Sequence, residues 1–246
     1  MKKYLIFSGV GDSSDEFLSW CTHKSDIYDR AIFYYGDDKE KYNKLQDLDT
    51  EYIYKSKGMI WQNFAKKYNF FKDKDYDYVL LVDSDLDLNY KDLEDTFKIA
   101  HSNNWSMCQW SRDPAGYGFF NDLYSNNKGK YSKTNYIENL FVLIRKDFLE
   151  LSVKKWNELN LEWSTGADFI IANVGLNNKM LPYYILNDYT FYNPHPHDKK
   201  NGREIDVVTN TNYFQRTEKL RKIMSDDPKY YRINNVIQCD NKKIFR

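Results

Sequence analysis

Three aspartates at alternate positions, Asp83, Asp85 and Asp87, close the apolar run Tyr78-Val79-Leu80-Leu81-Val82. Consecutive apolar residues of this kind read as a strand covered on both faces inside an α/β sheet. Residues that follow such a strand emerge at the carboxyl edge of the sheet, where open α/β sheets bind their ligands. Carboxylates gathered there are costly unless a divalent cation or a hydrogen-bond network neutralises them. Metal-assisted chemistry is therefore the first expectation. Two readings compete with it. Asp at relative positions 1, 3 and 5 with Glu94 at position 12 imitates a calcium-binding loop. Against that, Leu88 stands where the loop needs a glycine, and a strand-like run stands where it needs an incoming helix. The plainer alternative is a solvated acidic turn in which an aspartate caps a helix.

The elements needed to position these aspartates alternate along the chain. Tyr4 to Ser8 reads as a buried strand, Gly9 to Ser14 as a tight loop and Asp15 as the start of a helix. Arg30 to Tyr35 reads as a second strand ending at Gly36-Asp37-Asp38, and Tyr52 to Tyr54 as a short third. Met59, Ile60, Phe64, Ala65 and Tyr68 have helical spacing, so residues 58–69 are expected to form the helix that leads into the aspartate-bearing strand. Beyond it the pattern predicts a helix over 91–102, a strand over 106–110 and a long irregular segment over 111–134, a candidate lid. A strand over 136–144, helices over 146–159 and 166–173, and a late strand over 183–186 complete the series. Alternation of this kind implies an α/β fold with a mainly parallel central sheet flanked by helices. The expected organisation is one domain over 1–198, with a basic C-terminal extension over 199–246 that packs on or near it and carries a short helix near Thr217 to Met224.

Lys plus Arg equals Asp plus Glu at 36 each, so no overall field draws the chain to nucleic acid. The charge is unevenly spread: residues 199–246 hold twelve Lys or Arg against six Asp or Glu, a surplus of +6, which residues 1–198 offset with −6. That extension is the part expected to meet something anionic, such as a membrane surface. The three cysteines, Cys21, Cys108 and Cys239, are far apart and lack metal-ligand or disulfide spacing, which fits a reducing, cytoplasmic setting. No segment approaches the ~18 consecutive apolar residues of a membrane span. Gly9-x-Gly11 lacks the third glycine of the dinucleotide fingerprint, which disfavours an NAD enzyme.

A strand followed by Asp-x-Asp in the middle of an α/β chain resembles the GT-A class of nucleotide-sugar-dependent glycosyltransferases. Further segments fit in order: Tyr4 to Asp12, Tyr35-Gly36-Asp37, Lys57 with the helix after Gly58, and Ser106-Met107-Cys108-Gln109-Trp110. Tyr136-Ile137-Glu138-Asn139 and Glu162-Trp163-Ser164-Thr165-Gly166-Ala167-Asp168 continue the series, so the resemblance covers roughly residues 3–198. It is closest to a little-characterised branch of that class, so the acceptor does not carry over.

The resemblance implies a nucleotide-diphosphate sugar as donor, UDP favoured, and Mn²⁺ or Mg²⁺ as cofactor. Asp85 would ligate the metal directly, Asp83 would meet the ribose or a metal-bound water, and Asp87 would stand behind them. A late histidine completes metal coordination in this class, and His195 and His197 fall where one is expected, His197 being favoured. Asp168, at the start of an apolar helix, occupies the place of the catalytic base of inverting members; the competing reading is an ordinary helix-start aspartate. Glu138 is the second carboxylate, an acceptor ligand or alternative base. Ser8, Gly9 and Gly11 would let backbone approach the nucleotide, Asp37 would bond base or ribose, and Lys57 would meet the diphosphate. Trp105, Trp110, Tyr117, Phe119, Phe120 and Trp163 are candidates for stacking on acceptor sugar rings or for core packing. The acceptor would be a glycan or lipid-linked sugar. A non-catalytic nucleotide- or carbohydrate-binding module and a metal-dependent phosphoryl-transfer enzyme are the alternative functions.

Overall fold

The computed structural model describes residues 2–14, 16–21, 23–48, 50–117, 123, 129–161 and 166–194. His195, His197, Phe119, Phe120, residues 162–165 and the extension over 199–246 lie outside the described residues. The first half of the chain runs β1 (Tyr4–Val10), α1 (Glu16–Cys21), β2 (Tyr28–Tyr34), α2 (Lys39–Gln46), β3 (Tyr52–Lys55), α3 (Ile60–Phe71) and β4 (Tyr78–Asp83). The second runs α4 (Lys91–Ser102), β5 (Met107–Arg112), β6 (Tyr131–Thr134), β7 (Phe141–Arg145), α5 (Lys146–Glu158), α6 (Ala167–Asn177) and β8 (Tyr183–Phe191).

The strands form an eight-stranded sheet in the order β3-β2-β1-β4-β7-β5-β8-β6. β1, β2, β3 and β4 pair in parallel, β7 is antiparallel to both β4 and β5, and β8 is parallel to β5 and antiparallel to β6. Six strands therefore point one way, and only β6 and β7 oppose them. That agrees with the mainly parallel sheet expected from the alternation of elements.

Two-residue periodicity divides the central strands between two cores. Leu5, Phe7, Ala31, Phe33, Val79 and Leu81 face Trp61 and Phe64 of α3, Phe148 and Trp156 of α5 and Ile170 of α6. Tyr4, Ile6, Ile32, Tyr34, Leu80 and Val82 face Phe17 and Trp20 of α1 with Leu93 and Phe97 of α4. Each buried Val, Leu, Ile or Phe among them contributes about 1.5–3 kcal/mol of transfer free energy. This double coverage is why β4 reads as unbroken apolar sequence.

The helix expected over 91–102 forms between those limits as α4. α2 was not apparent in the sequence; Asp38 starts it by accepting from the Glu40 and Lys41 amides at 2.8 and 3.1 Å. The irregular segment expected over 111–134 is corrected at both ends: residues 111–112 finish β5 and residues 131–134 form the edge strand β6. The strand expected over 136–144 begins only at Phe141, because Tyr136 and Glu138 turn their side chains to partners elsewhere. β8 runs past Leu186 to Phe191, and its pairing with β5 slips between Trp110 and Ser111, so that Asn187 to Tyr189 bulge from the ladder. A strand, not a helix, precedes Asp83, which removes the calcium-loop reading. No helix among the described residues is long and apolar enough to cross a membrane.

Candidate active site at the carboxyl edge of the sheet

The parallel strands bring their carboxyl ends to one edge, and β7, running the other way, begins there. Asp83 ends β4 in register with Gly9 of β1, and its amide donates to Leu140 O just before β7 (2.9 Å). The turn beyond it is held from the α1 side. The Ser84 hydroxyl donates to Ser14 Oγ (2.8 Å), and Trp20 Nε1 donates to Leu86 O (3.2 Å). Asp87 pairs antiparallel with Tyr192, each amide donating to the other's carbonyl at 2.9 Å. That bridge draws the end of β8, and with it the approach to residues 193–194, beside the aspartates. Asp83 and Asp85 are half-buried and Asp87 is exposed. Among the described residues no three of His, Cys, Asp and Glu gather closely enough to hold a metal ion.

On the β1–β3 side, the residues expected at the nucleotide are organised by one that the sequence did not single out, Asp12. Its carboxylate accepts from the Tyr34 hydroxyl and from the amides of Asp37 and Asp38 at 2.9 and 3.2 Å, while Lys41 Nζ donates to its carbonyl (2.7 Å). Partial burial pushes the Asp12 carboxyl up, but the hydrogen bonds from Tyr34, Asp37 and Asp38 with the charge of Lys41 outweigh it and leave the group below its ordinary value. Gly36 makes this possible: a β-carbon there would lie 2.0 Å from Asp12 Oδ1. Asp37 and Lys57 meet across the ends of β2 and β3, with Lys57 Nζ 2.8 Å from Asp37 Oδ1 and 2.7 Å from Tyr35 O. Both remain accessible to solvent. Ser8 and Gly9 lie within the sheet. The Ser8 hydroxyl donates to Val82 O (2.8 Å), and a β-carbon at Gly9 would come within 2.2 Å of the Phe33 ring. The Gly11 amide donates to Ser14 Oγ (3.1 Å), which closes the loop after β1.

On the β5–α6 side of the sheet, Asp168 opens α6 behind Gly166, whose φ of 82° is a conformation glycine adopts readily. Oδ2 of Asp168 accepts from the Tyr136 hydroxyl, and Oδ1 accepts from the Phe169 amide at 3.1 Å. Asp168 keeps a solvent-accessible face, yet protein surrounds it densely. Loss of hydration raises its carboxyl to about 6, against the lowering effect of the bonds from Tyr136 and Phe169. Glu138 is buried, with Oε2 at 2.8 Å from Nη1 of the buried Arg112 and its amide donating to Gln109 Oε1 (3.0 Å). Arg112 Nη2 also donates to Tyr117 O, which accepts from Asn193 Nδ2 (3.1 Å) as well. Trp105 and Trp110 are core residues; Tyr117 is exposed.

The carboxyl ends of β2, β3 and β4 thus carry Asp37, Lys57, Asp83 and Asp85, while Asp168 and Glu138 lie on the β5–α6 side, held by Tyr136 and Arg112. Arg112 and Tyr136 escaped the sequence reading. An arginine before Asp113-Pro114 resembles a solvated turn, and a tyrosine at the start of an expected strand resembles core.

The layered arrangement, with its parallel β3-β2-β1-β4 half and antiparallel β7 entering at the aspartates, is a GT-A-type fold. S. aureus TarS 1–349 in complex with UDP-GlcNAc superposes with a TM-score of 0.58 at 13% sequence identity, over 97% of this chain and 68% of that one. The same protein in complex with UDP gives 0.52 at 13% identity, over 92% and 72%. A third structure of TarS 1–349 gives 0.53 at 14% identity over 79% of this chain, which there spans only 60% of the TarS chain. No protein-family model and no curated protein matches the sequence.

Proposed function

We propose that this chain is a glycosyltransferase that moves a sugar from a nucleotide-diphosphate sugar, UDP favoured, to a carbohydrate or glycolipid acceptor with inversion. The observation that carries the reading is the half-buried Asp83 and Asp85 at the carboxyl end of β4 in a GT-A-type fold. Asp168, held by Tyr136 and the Phe169 amide and raised to about 6 by burial, adds a candidate base. A base poised just below neutral pH is mostly ionised in the cell and still able to take a proton. The GT-A-type fold adds support, since S. aureus TarS carries UDP-GlcNAc in one similar structure and UDP in another.

In this reading Asp168 removes the proton of the acceptor hydroxyl as that oxygen bonds to the anomeric carbon. The bond from that carbon to the diphosphate oxygen breaks on the opposite face, and its electron pair leaves with the diphosphate. Lys57 lies next to the diphosphate, with Asp37 at the base or ribose and Ser8, Gly9 and Gly11 forming the floor beneath. Asp83 and Asp85 are half-buried oxygen donors of the kind Mn²⁺ and Mg²⁺ prefer, so the residues fit such an ion. Asp85 would hold it with Asp83, Asp87 standing behind and His197 or His195 completing the set; its chemistry is Lewis-acid stabilisation of the leaving diphosphate. Glu138, held by the buried Arg112, shapes the acceptor side from below, and the basic 199–246 extension suits a cytoplasmic enzyme that works against an anionic membrane carrying lipid-linked sugar.

The test is turnover of UDP-, GDP-, CDP- and dTDP-sugars by purified protein with and without Mn²⁺. Metal-dependent hydrolysis or transfer from one of them, lost in Asp168→Asn with donor binding intact, is expected. Nucleotide binding without turnover would make the chain a binding module instead.

A further inference from the structure

We infer that Tyr136 is a positioning residue for Asp168: its buried hydroxyl donates to Oδ2, fixing the carboxylate's orientation and favouring its ionised form while keeping its own proton. The inference rests on the reading of Asp168 as the base. The geometry makes the arrangement specific. Tyr136 is 3% exposed, and its ring lies 5.4 Å from that of Phe169, the residue whose amide holds Oδ1. The ring is anchored on the chain side as well, because the Tyr136 amide donates to Thr134 Oγ1 (3.0 Å) and the Thr134 hydroxyl returns a bond to Tyr136 O (2.9 Å). Two donors from different elements therefore clamp the two oxygens of Asp168, a first requirement for a base that must meet one hydroxyl.

Among the described residues, Glu138 and Arg112 are the other charged groups that act on Tyr136. Glu138 shares the loop with Tyr136, and Arg112 of β5, paired with Glu138, partly offsets its charge. α5 faces α6 with the apolar Phe148, Leu149 and Val153, and β8 contributes Tyr183, whose hydroxyl donates to Ile171 O (3.3 Å). Burial first, and the charge of Asp168 second, drive the Tyr136 phenol well above its ordinary value, so it donates a hydrogen bond without giving up its proton. The interrupted strand before β7 acquires a reason from this. Residues 135–140 leave the ladder, and Tyr136 and Glu138 pair with Asp168 and Arg112 instead.

Tyr136→Phe removes one oxygen and little volume. A hydrogen bond to the charged form lowers a carboxyl's pKa, so its loss raises that of Asp168, by about one unit for a charge-assisted bond. The acid limb of kcat/KM should move up by that amount. Turnover would then fall roughly ninefold at pH 5, about twofold at pH 7 and hardly at all at pH 8, by the ionised fractions of groups near 6 and 7. A purely structural role predicts a deficit that is the same at all three pH values, and that result overturns the inference. If Asp168→Asn retains turnover, the base reading itself fails; if it loses turnover and Tyr136→Phe leaves the acid limb in place, only the positioning role fails. The wild-type protein supplies a second measurement that needs no variant to fold. The ¹³Cζ resonance of Tyr136 should shift with the same midpoint as the Asp168 carboxyl carbon, and a Tyr136 signal with no inflection there contradicts the proposal.

Discussion

Replacing Glu138 by Ala should destabilise the protein more than any other single change at the sheet edge. The Arg112 and Glu138 side chains are only 2% and 7% exposed, and their charged atoms approach to 2.8 Å. At an effective dielectric constant of about 20, attraction at that distance is roughly 6 kcal/mol, much of it offset by the cost of taking both ions out of water. Removing one partner forfeits the attraction and leaves the Arg112 charge buried beside an empty space. The expected loss is about 3–5 kcal/mol, which at roughly 2–4 °C per kcal/mol for a domain of this size lowers the melting temperature by about 6–20 °C. Arg112→Met combined with Glu138→Leu removes both charges and should recover most of that loss. Urea denaturation of wild type, Arg112→Met, Glu138→Leu and the pair, followed by tryptophan fluorescence, forms the double-mutant cycle that measures the coupling. A Glu138→Ala variant within about 0.5 kcal/mol of wild type, or a double variant whose loss is the sum of the singles, would refute the reasoning.

The raised carboxyl of Asp168 carries a stability cost. Its folded value near 6 lies above the unfolded value of about 3.9, so the native state holds the proton more tightly and stability falls as pH rises from about 4 to about 6. Asp168→Asn should therefore be more stable than wild type at pH 7.5, by about 1–3 kcal/mol given partial solvent access, with no gain at pH 4; equal melting curves at pH 7.5 would contradict the raised value. Gly9→Ala places a β-carbon 2.2 Å from the Phe33 ring and should cost about 1–3 kcal/mol in denaturant titrations, relieved by adding Phe33→Leu. If Gly9 instead acts by admitting the nucleotide, the pair of changes will regain stability without regaining nucleotide affinity.

The parts of the fold written in local pattern were legible in the sequence. β4 shows as an apolar run because both faces are covered, and α4 shows its limits because Leu93, Phe97 and Ala100 recur at helical spacing. β6 was hidden, since an edge strand that alternates exposed and buried positions over only four residues looks like loop. The reversed direction of β7 depends on pairing partners far away in sequence, as in Val82 with Phe141, and no short window contains that. At the site, the residue types at Asp83, Asp85 and Asp168 announced chemistry. Asp12, Arg112 and Tyr136 did not, because each acquires its role only from a partner brought by the tertiary fold: Tyr34, Glu138 and Asp168.

The central claim is that the edge bearing Asp85 binds a nucleoside diphosphate through a divalent ion. Calorimetric titration of UDP into wild-type protein and Asp85→Ala, each with Mn²⁺ and with chelator, tests it most directly. Wild type should bind at least about tenfold more tightly with Mn²⁺, a coupling of about 1.4 kcal/mol or more, and Asp85→Ala should lose that dependence while Asp168→Asn keeps it. Equal Mn²⁺-dependent affinity in wild type and Asp85→Ala would contradict the account.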